Sequence, residues 1–296
     1  MNDTTLHQPS DHYIESRGVR LHYVEWGDAQ LETLLLVHGN RDQCRSWDFF
    51  VAELQKLHPR SFHIVALDLR GHGQSEWNAP RRGYRHEDFL FDLSAAFYCI
   101  GKERIDLIGH SLGGSMATLF AGCFPDRIKK LILVEAIGPY AKQDDEVPDI
   151  LAEQVEGKEL NLERTLQVNL EEAAATIKKR FSSIPDEVCT YMARFGTSKT
   201  ETGLVWKHDP RLRVHSLSPL SESQVRAFIR RINCPTLIVY GSDSGFTKST
   251  RASRLSLFST AKVVEVPRTG HHVPHERPVE LAQMVSSFLF ADYNTA

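Results

Sequence analysis

Residues 105–114 place a serine between regularly spaced glycines. The segment reads IDLIGHSLGG, so Gly109, Ser111 and Gly113 form a G-x-S-x-G pattern. An apolar run precedes the pattern and a helix-like sequence follows it, which is the context of a sharp strand-to-helix turn. Such a turn lifts the serine hydroxyl clear of the sheet, and amide groups at the start of the helix can stabilise an oxyanion. We therefore predict that Ser111 is a nucleophile rather than a serine with a purely structural role.

A base for this serine is predicted near the C-terminus. Three histidines, His271, His272 and His275, follow an apolar run that ends at Val266. A histidine just beyond a strand can reach a serine across the carboxyl edge of the sheet. His271 lies closest to the strand end, whereas His272 should point the other way and His275 lies near the next helix. We predict His271 as the base, with His272 and His275 as alternatives.

A third group must orient the imidazole of the base and stabilise its charged form, and a carboxylate does both. Glu135 directly follows the apolar run 131–134, and Asp243 follows the run 237–240 and two further residues. Both would lie at the carboxyl edge of the sheet. Each also has a structural interpretation, Glu135 as an ion-pair partner and Asp243 as a turn or cap residue. The strand ends alone leave both acids open.

The loop after residues 33–37 is the candidate source of a second oxyanion donor. It reads His38-Gly39-Asn40, about seventy residues before the serine. A serine on such a turn uses the N–H of the following residue and an N–H from a loop after a neighbouring strand. We predict that the backbone N–H groups of Leu112 and Asn40 form the oxyanion hole, with Gly39 letting the chain turn close to the substrate.

The elements that must position these residues alternate between short apolar runs and longer helical patterns. Continuous Val/Ile/Leu runs are typical of strands that are covered on both faces, hence of a mostly parallel sheet. Residues 19–26 alternate in the manner of a strand, and the apolar runs are residues 33–37, 62–69, 105–108, 131–134, 236–240 and 262–266. The helical patterns between them are residues 46–57, 86–100, 112–124, 248–258 and 278–290. This alternation predicts a doubly wound α/β fold.

One long interval breaks the alternation and predicts an insertion. No convincing strand is found from residue 139 to about residue 230, a span too long for a simple connection. Helical patterns cover residues 149–155, 160–170, 171–181 and 185–195. We predict a helical cap at residues 139–230, inserted into a core domain formed by residues 1–138 and 231–296. Its larger apolar residues (Phe181, Tyr191, Met192, Phe195 and Trp206) either line an acyl pocket or pack the cap.

The composition is that of an ordinary globular protein of 296 residues, with 41% hydrophobic and 25% charged residues. The formal net charge is −3 and no block of like charges occurs, so we expect neither nucleic acid nor a membrane surface as a partner. Five scattered cysteines indicate reduced thiols, mostly buried. Together with the polar N-terminus and the absence of a long apolar run, they favour a cytoplasmic location. We expect no metal and no organic cofactor.

These motifs together resemble the α/β-hydrolase superfamily, in its cap-bearing serine-hydrolase-like branch, over nearly the whole chain. The matching segments are residues 38–40, 68–75, 109–114, 206–210 and 270–271 with Glu276 and Pro278. The resemblance implies a mostly parallel eight-stranded sheet with an inserted helical cap, and it supports His271 as the base.

The resemblance also bears on the acid. The superfamily's usual acid lies three residues after the glycine that ends a strand near the C-terminus, and Ser244 occupies that position here, with Asp243 one residue early. A branch that includes haloalkane dehalogenases instead carries its acid at the end of the preceding strand, and residues 134–137 resemble that arrangement. We therefore predict Glu135 as the acid, with Asp243 as the alternative.

The activity of the dehalogenase branch does not carry over. Dehalogenases and epoxide hydrolases use an aspartate nucleophile where Ser111 stands, and the dehalogenase tryptophan after it is replaced by Leu112. We predict a carboxylesterase that acts on a small-molecule ester, lactone or thioester through an acyl-enzyme. The same residues also suit amides, or a carbon–carbon bond next to a carbonyl. A non-catalytic ligand-binding protein of the same fold is the alternative from another functional class.

Overall fold

A computed structural model describes residues 8–80, 82–141, 143–155, 165–213, 220–245 and 248–291. The strands in this part of the chain are β1 Ser10–Ser16, β2 Val19–Trp26, β3 Thr33–Val37, β4 His63–Leu67, β5 Ile105–His110, β6 Ile128–Val134, β7 Leu166–Gln167, β8 Thr197–Thr200, β9 Gly203–Trp206, β10 Thr236–Gly241 and β11 Ala261–Val266. The α-helices are α1 Asp48–Leu57, α2 His86–Ile100, α3 Leu112–Cys123, α4 Val147–Val155, α5 Leu170–Arg180, α6 Asp186–Gly196, α7 Glu222–Ile229, α8 Lys248–Leu255, α9 Val273–Glu276 and α10 Pro278–Leu289. Short 3-10 helices cover Cys44–Trp47, Pro125–Arg127 and Pro210–Arg213.

Eight of the described strands form one sheet in the order β1-β2-β4-β3-β5-β6-β10-β11. All neighbouring strands from β4 to β11 in this order run parallel, whereas β2 pairs antiparallel with both β1 and β4. Parallel neighbours bring their carboxyl ends to the same edge, so the residues that follow β3, β5, β6, β10 and β11 lie near one another. The predicted fold class, a mostly parallel eight-stranded α/β sheet, is confirmed.

Both faces of the sheet are buried, as the continuous apolar runs predict. All five residues of β3 are buried, and the four apolar ones alternate between two separate apolar clusters. Leu35 and Val37 belong to one cluster, and Leu34 and Leu36 belong to the other. This alternation follows from the two-residue period of a strand, which points successive side chains to opposite faces.

Helices cover the two faces and thereby make the fold doubly wound. Leu93 of α2 and Phe120 of α3 pack into the first cluster. Phe50 of α1 and Leu281 of α10 pack into the second. Within the residues that the structure describes, no helix combines the length and the apolarity needed to span a membrane.

Strand β1 was not predicted from the sequence. It pairs with β2 along its whole length and forms the edge of the sheet. Its sequence, SDHYIES, contains few apolar residues, and Tyr13 is half exposed. An edge strand with one solvated face needs no continuous apolar run, because its stability comes from pairing with its neighbour.

The expectation that residues 139–230 contain no strand is wrong. The described part of this insertion holds a three-stranded antiparallel sheet in the order β7-β9-β8, beside α4, α5, α6 and α7. The predicted helix at residues 160–170 is also wrong where it can be compared, because Leu166–Gln167 is a strand; residues 160–164 lie outside the described residues. Strands of two to four residues are too short for a period-two pattern to reveal them.

Four histidines that no sequence pattern marks as core residues are buried. His22, His38, His63 and His72 have at most 4% of their surface exposed. The protein buries them beside other polar groups: His22 bonds to Asp68, for example, with 2.7 Å between Nδ1 and Oδ2. Hydrogen bonding of this kind compensates for the loss of water, and residue type alone does not reveal it.

All five cysteines lie in the described part of the chain and are free thiols. Cys44, Cys189 and Cys234 are buried, Cys123 is partly buried and Cys99 is exposed. Most therefore behave as small apolar side chains, as the sequence suggested.

Candidate active site

The turn between β5 and α3 holds Ser111 in an unusual backbone conformation. Its φ is 52° and its ψ is −113°, so this residue lies outside the regions that most side chains adopt. Hydrogen bonds fix the turn on both sides, because the N–H of Ser111 donates to Val134 and its carbonyl accepts from the N–H of Ser115. Strain of this kind is retained where the surrounding structure enforces it, and it is common at active sites.

The glycines of the G-x-S-x-G pattern are required by close packing at this turn. A Cβ at Gly109 would lie 2.5 Å from the backbone of Gly113. A Cβ at Gly113 would lie 2.3 Å from the carbonyl oxygen of Val37, on the neighbouring strand β3. Neither position has room for a side chain, so the pattern reflects how tightly the elbow packs against the strand beside it.

The structure brings Ser111, His271 and Glu135 together although they are far apart in sequence. The Oγ of Ser111 lies 2.9 Å from Nε2 of His271, and Nδ1 of His271 lies 3.1 Å from Oε2 of Glu135. Because a carboxylate only accepts hydrogen bonds, the proton of the neutral imidazole lies on Nδ1. Nε2 is then free to accept the proton of the serine hydroxyl.

Two further donors hold Glu135 in place. The N–H of Gly241 donates to Oε1 at 2.6 Å, and the hydroxyl of Ser244 donates to Oε2 at 2.6 Å. Glu135 is fully buried and its φ is 53°, so it shares with Ser111 a positive φ directly after a sheet strand. The role of Ser244 was not predicted from the sequence, although its place at the superfamily's usual acid position was the available signal.

Asp243, the alternative acid, points elsewhere. Its side chain is exposed and accepts a hydrogen bond from the hydroxyl of Ser242 at 2.8 Å. Its backbone N–H donates to the carbonyl of Thr269. Glu135, and not Asp243, therefore contacts the imidazole of His271.

The loop that carries His271 is anchored by Glu276. The carboxylate of Glu276 accepts from the N–H of Gly270 at 2.9 Å and from the N–H of His272 at 3.2 Å, so it holds both neighbours of the histidine. Glu276 belongs to a segment that resembles the superfamily, but this anchoring role was not predicted from the sequence. His275, one of the alternative bases, points away and lies 3.3 Å from the carboxylate of Asp42.

His272, the other alternative base, is directed towards the insertion. Its ring packs edge-on against Phe181, with 4.0 Å between the ring centroids. Burial lowers the pKa of His272 to about 2, and the neighbouring His275, His271 and Arg180 add to the effect. The side chain therefore stays neutral and makes no contact with Ser111 in the described structure.

The two predicted oxyanion donors lie at the first residue of α3 and on the loop after β3, and a hydrogen bond joins these two segments. The N–H of Gly113 donates to the carbonyl of His38 at 3.1 Å, which ties the start of α3 to the loop after β3. Among the described residues, neither the N–H of Leu112 nor the N–H of Asn40 has a protein acceptor. The side chain of Asn40 is turned to the insertion, where it donates to the carbonyl of Leu212 at 3.3 Å.

Hydrogen bonds of Asp209 and Arg211, which form an ion pair with each other, fix residues 207–212 of the insertion to the core. The carboxylate of Asp209 accepts from the hydroxyl of Tyr84 at 2.7 Å and from Nη2 of Arg211 at 2.6 Å. Arg211 also donates to the carbonyls of Ala79 and Arg82, in the loop before α2. These bonds hold the segment in a fixed position beside the loop that carries Asn40.

Most large apolar residues of the insertion pack within it or onto the core. Phe181, Met192 and Trp206 surround the insertion's own apolar cluster. The hydroxyl of Tyr191 bonds to the carboxylate of Asp48 on α1, and the guanidinium of Arg45 lies over the Phe195 ring at 4.3 Å. The sequence suggested that these residues either line an acyl pocket or pack the cap. The contacts described here are packing contacts.

His22, Cys44 and Asp68 group three potential metal ligands within 4.8 Å of one another. Their contacts are hydrogen bonds: the carboxylate of Asp68 accepts from His22 at 2.7 Å and from the N–H groups of Cys44 and Gln74. Burial and the adjacent Asp68 raise the pKa of the Cys44 thiol well above its usual range. A cation would displace these bonds and require a thiolate, so we assign the group a structural role.

Comparison with known proteins places this geometry in a family. The family model described as "Alpha/beta hydrolase family" matches residues 34–284. The chain belongs to the alpha/beta hydrolase family. The protein is accordingly a hydrolase, and the matched region runs from β3 to α10, so it includes the elbow and the loops that carry His271 and Glu135.

The proteins similar to this hydrolase include a serine hydrolase-like protein, an epoxide hydrolase and a thioesterase domain. It is 29% identical to serine hydrolase-like protein 2 of Homo sapiens over 285 residues, which cover 89% of this chain and 88% of the relative. It is 34% identical to epoxide hydrolase 4 of Mus musculus over 134 residues, which cover 45% of this chain and 36% of that protein. The thioesterase domain from the curacin biosynthetic pathway has a similar fold, with a TM-score of 0.85, 24% identity and coverage of 94% of this chain and 99% of that one.

Replacement of Ser244 by alanine is expected to lower turnover of this hydrolase by about 10-fold or more, because a hydrogen bond to a charged group contributes about 1.5–3 kcal/mol. The substitution removes the bond from the Ser244 hydroxyl to Oε2 of buried Glu135, the oxygen that also contacts His271, so the imidazole is held less firmly. Steady-state kinetics of the two proteins measure the effect. Ser242→Ala, which removes a nearby hydroxyl bonded to exposed Asp243, is the matched control and should change turnover little. Equal loss in both variants would contradict the role given to Ser244.

Proposed function

We propose that this hydrolase cleaves carboxylic esters through an acyl-enzyme on Ser111, with His271 as general base and Glu135 as the orienting acid. The line of hydrogen bonds from Ser111 Oγ through His271 to Glu135 supports the proposal most directly. Lactones and thioesters present the same electrophilic carbonyl, so they belong to the same proposed substrate class. The reaction requires neither a metal nor an organic cofactor.

In the first half of the proposed reaction, Ser111 Oγ attacks the carbonyl carbon while Nε2 of His271 takes the hydroxyl proton. The tetrahedral intermediate then collapses, and the imidazolium gives this proton to the departing alkoxide. In the second half, a water molecule attacks the acyl-enzyme as the same imidazole removes its proton. The second tetrahedral intermediate then expels Ser111 Oγ, which takes the proton from the imidazolium as the acid leaves, so atoms and charge balance over the cycle.

The negative charge that develops on the carbonyl oxygen needs donors that are in place beforehand. The N–H groups of Leu112 and Asn40 are proposed for this role. The Gly113–His38 hydrogen bond joins the start of α3, which carries Leu112, to the loop that carries Asn40, and neither N–H donates to a protein acceptor within the described residues. The bond between the Asn40 side chain and Leu212 helps to hold the loop in this position.

The serine also favours carbonyl substrates over the epoxides suggested by one relative's name. Attack by a hydroxyl on an epoxide or a haloalkane forms an ether, which the water and imidazole of this site have no means to hydrolyse. Attack on an ester forms an acyl-enzyme, which water can cleave. Only the second chemistry regenerates Ser111, and we therefore favour ester-like substrates. Cleavage of a carbon–carbon bond next to a carbonyl, which uses the same residues, is the alternative reaction.

An active-site phosphonate tests the proposal. A fluorophosphonate is expected to modify the protein stoichiometrically at Ser111, because the imidazole of His271 activates this hydroxyl. Intact mass and peptide mapping measure the adduct. Ser115, whose buried hydroxyl bonds to the carbonyl of Gly138, should remain unmodified and serves as the internal control. A chain-length series of aryl esters, assayed beside a lactone panel, then identifies the preferred substrate.

The same experiment separates the enzyme from a non-catalytic ligand-binding protein of this fold. A folded protein that neither reacts with the phosphonate nor hydrolyses any member of the panels would contradict the ester hydrolase and favour the binding protein. Reaction with the phosphonate together with turnover of diketones alone would favour the carbon–carbon hydrolase.

A further inference from the structure

His110, which directly precedes the nucleophile, is a buried titratable residue that the proposed reaction leaves unused. It ends β5 and is 2% exposed. Its Nε2 lies 2.9 Å from the backbone carbonyl oxygen of His271. Because a carbonyl oxygen only accepts hydrogen bonds, the proton of neutral His110 lies on Nε2. The side chain therefore donates a hydrogen bond to the backbone of the residue that carries the base.

The same imidazole also contacts the loop of the predicted oxyanion hole. A Cβ at Gly39 would lie 3.0 Å from Nδ1 and 3.3 Å from Cε1 of His110, so the ring faces the backbone of this glycine directly. The backbone of His110 continues into Ser111. His110 thus contacts both the loop that carries His271 and the loop that carries Asn40, and a peptide bond joins it to Ser111.

The surroundings keep His110 neutral throughout a proposed catalytic cycle. Burial lowers its pKa well below the usual range, and the nearby His271, His272 and His275 lower the pKa further. The His110 and His271 rings lie 5.1 Å apart between centroids. A neutral donor at this distance holds the backbone of His271 without repelling the imidazolium that forms when His271 takes a proton.

Three residues restrain different parts of the loop around His271. Glu276 holds the N–H groups of Gly270 and His272, Glu135 holds the imidazole, and His110 donates to the carbonyl of His271. Rotation of this peptide unit would carry the imidazole away from the hydroxyl of Ser111. A displacement of about 1 Å in a reacting group can cost about 100-fold in rate.

We propose that His110 is a positioning residue for acyl transfer, whose Nε2–H clamps the carbonyl of His271 and so keeps the imidazole aligned with Ser111. This inference rests on the proposed function, because it assigns His110 to the same site. A side chain that merely fills space would be replaceable by any other of similar volume. A clamp requires a hydrogen-bond donor at the position of Nε2.

A pair of variants separates the clamp from packing. His110→Gln places an amide N–H near the position of Nε2, whereas His110→Met has a similar length and no donor. We expect His110→Met to lower kcat by about 10- to 100-fold with KM changed by less than about 3-fold, because alignment and not binding is lost. His110→Gln should stay within about 5-fold of the wild-type kcat. Phosphonate labelling of Ser111 should slow in the same order.

The outcomes decide between the two roles. Equal kcat values and labelling rates for the glutamine and methionine variants would overturn the clamp while leaving the ester hydrolase intact. A wild-type protein that neither labels nor hydrolyses esters would instead overturn the proposed function, and the positioning role of His110 with it.

Nitrogen-15 NMR of the histidines in the wild-type protein tests the hydrogen bond even if a variant fails to fold. We expect His110 to show the Nε2–H tautomer and no titration between about pH 5 and 9, because it is buried and bonded to a carbonyl. A titrating ring, or an Nδ1–H tautomer, would overturn the clamp. Since this spectrum does not depend on turnover, it is independent of the substrate.

Discussion

Ester turnover is expected to fall by about 10⁴-fold or more when Ser111 is replaced by alanine, because no other group can form the acyl-enzyme. The fold should survive. Alanine keeps the Cβ that packs in the elbow and removes only the hydroxyl, which lies 2.9 Å from Nε2 of His271. The measurement is kcat/KM on the best ester of the panel, together with the thermal unfolding temperature of both proteins.

A glycine at position 111 provides the companion variant. It should be as inactive as the alanine variant but more stable, because φ at this position is 52° and glycine adopts positive φ at little cost. The expected difference in unfolding free energy is about 1 kcal/mol or more in favour of glycine. Alanine and glycine variants that each keep more than roughly 1% of wild-type turnover would place the nucleophile elsewhere.

Local sequence was sufficient to predict the elements around the elbow. The run 33–37 is strand β3 with the same bounds, and residues 86–100 are helix α2. Both predictions rest on interactions within a few residues: continuous burial for the strand and a 3.6-residue period for the helix. Ser111 and His271 were likewise predicted from short motifs, and the structure places their side chains in contact across 160 residues of sequence.

The choice of the acid could not be derived from the residues alone. Glu135 follows β6 and Asp243 follows β10, and these strands are neighbours, so both acids reach the same edge of the sheet. Which one contacts His271 depends on the direction of each side chain. The positive φ of Glu135 and its bonds to Gly241 and Ser244 direct it inward, and Asp243 is exposed. The spacing of the two acids did not show which one contacts His271. The resemblance to the branch that includes haloalkane dehalogenases, whose acid follows the strand corresponding to β6, favoured Glu135.

The insertion was predicted least well, because the contacts that determine its structure join residues that are distant in sequence. Strand β7 has two residues, and it forms only because β9 pairs with it after a separation of more than thirty residues. The contacts that fix the insertion to the core, such as Asp209 with Tyr84, are also distant in sequence. A pattern search within a short window finds amphipathic helices such as α5 and α6, but it has no access to pairings of this kind.

Replacement of Glu135 by glutamine is expected to lower turnover by about 10³- to 10⁴-fold, the second largest effect after loss of the nucleophile. The N–H of Gly241 donates to Oε1, so the glutamine oxygen should take that place and its NH₂ group should face His271. An NH₂ group donates where the carboxylate accepted, so Nδ1 of the imidazole must become the acceptor. The proton then moves to Nε2, which can no longer accept the proton of Ser111. The positive charge that His271 gains in the transition state is also left without its counter-ion.

Asp243→Asn is the matched control, because it makes the same chemical change on the neighbouring strand end. Its carboxylate is exposed and bonded to Ser242, so turnover should stay within about 3-fold of the wild-type value. Steady-state kinetics of both variants across a pH series measure the contrast, and circular dichroism checks that both proteins fold. If Asp243→Asn were the inactive variant and Glu135→Gln the active one, the loop after β10 would have to move in solution to bring Asp243 to the imidazole. The inward direction of Glu135, enforced by two short hydrogen bonds in a fully buried position, argues for the opposite result.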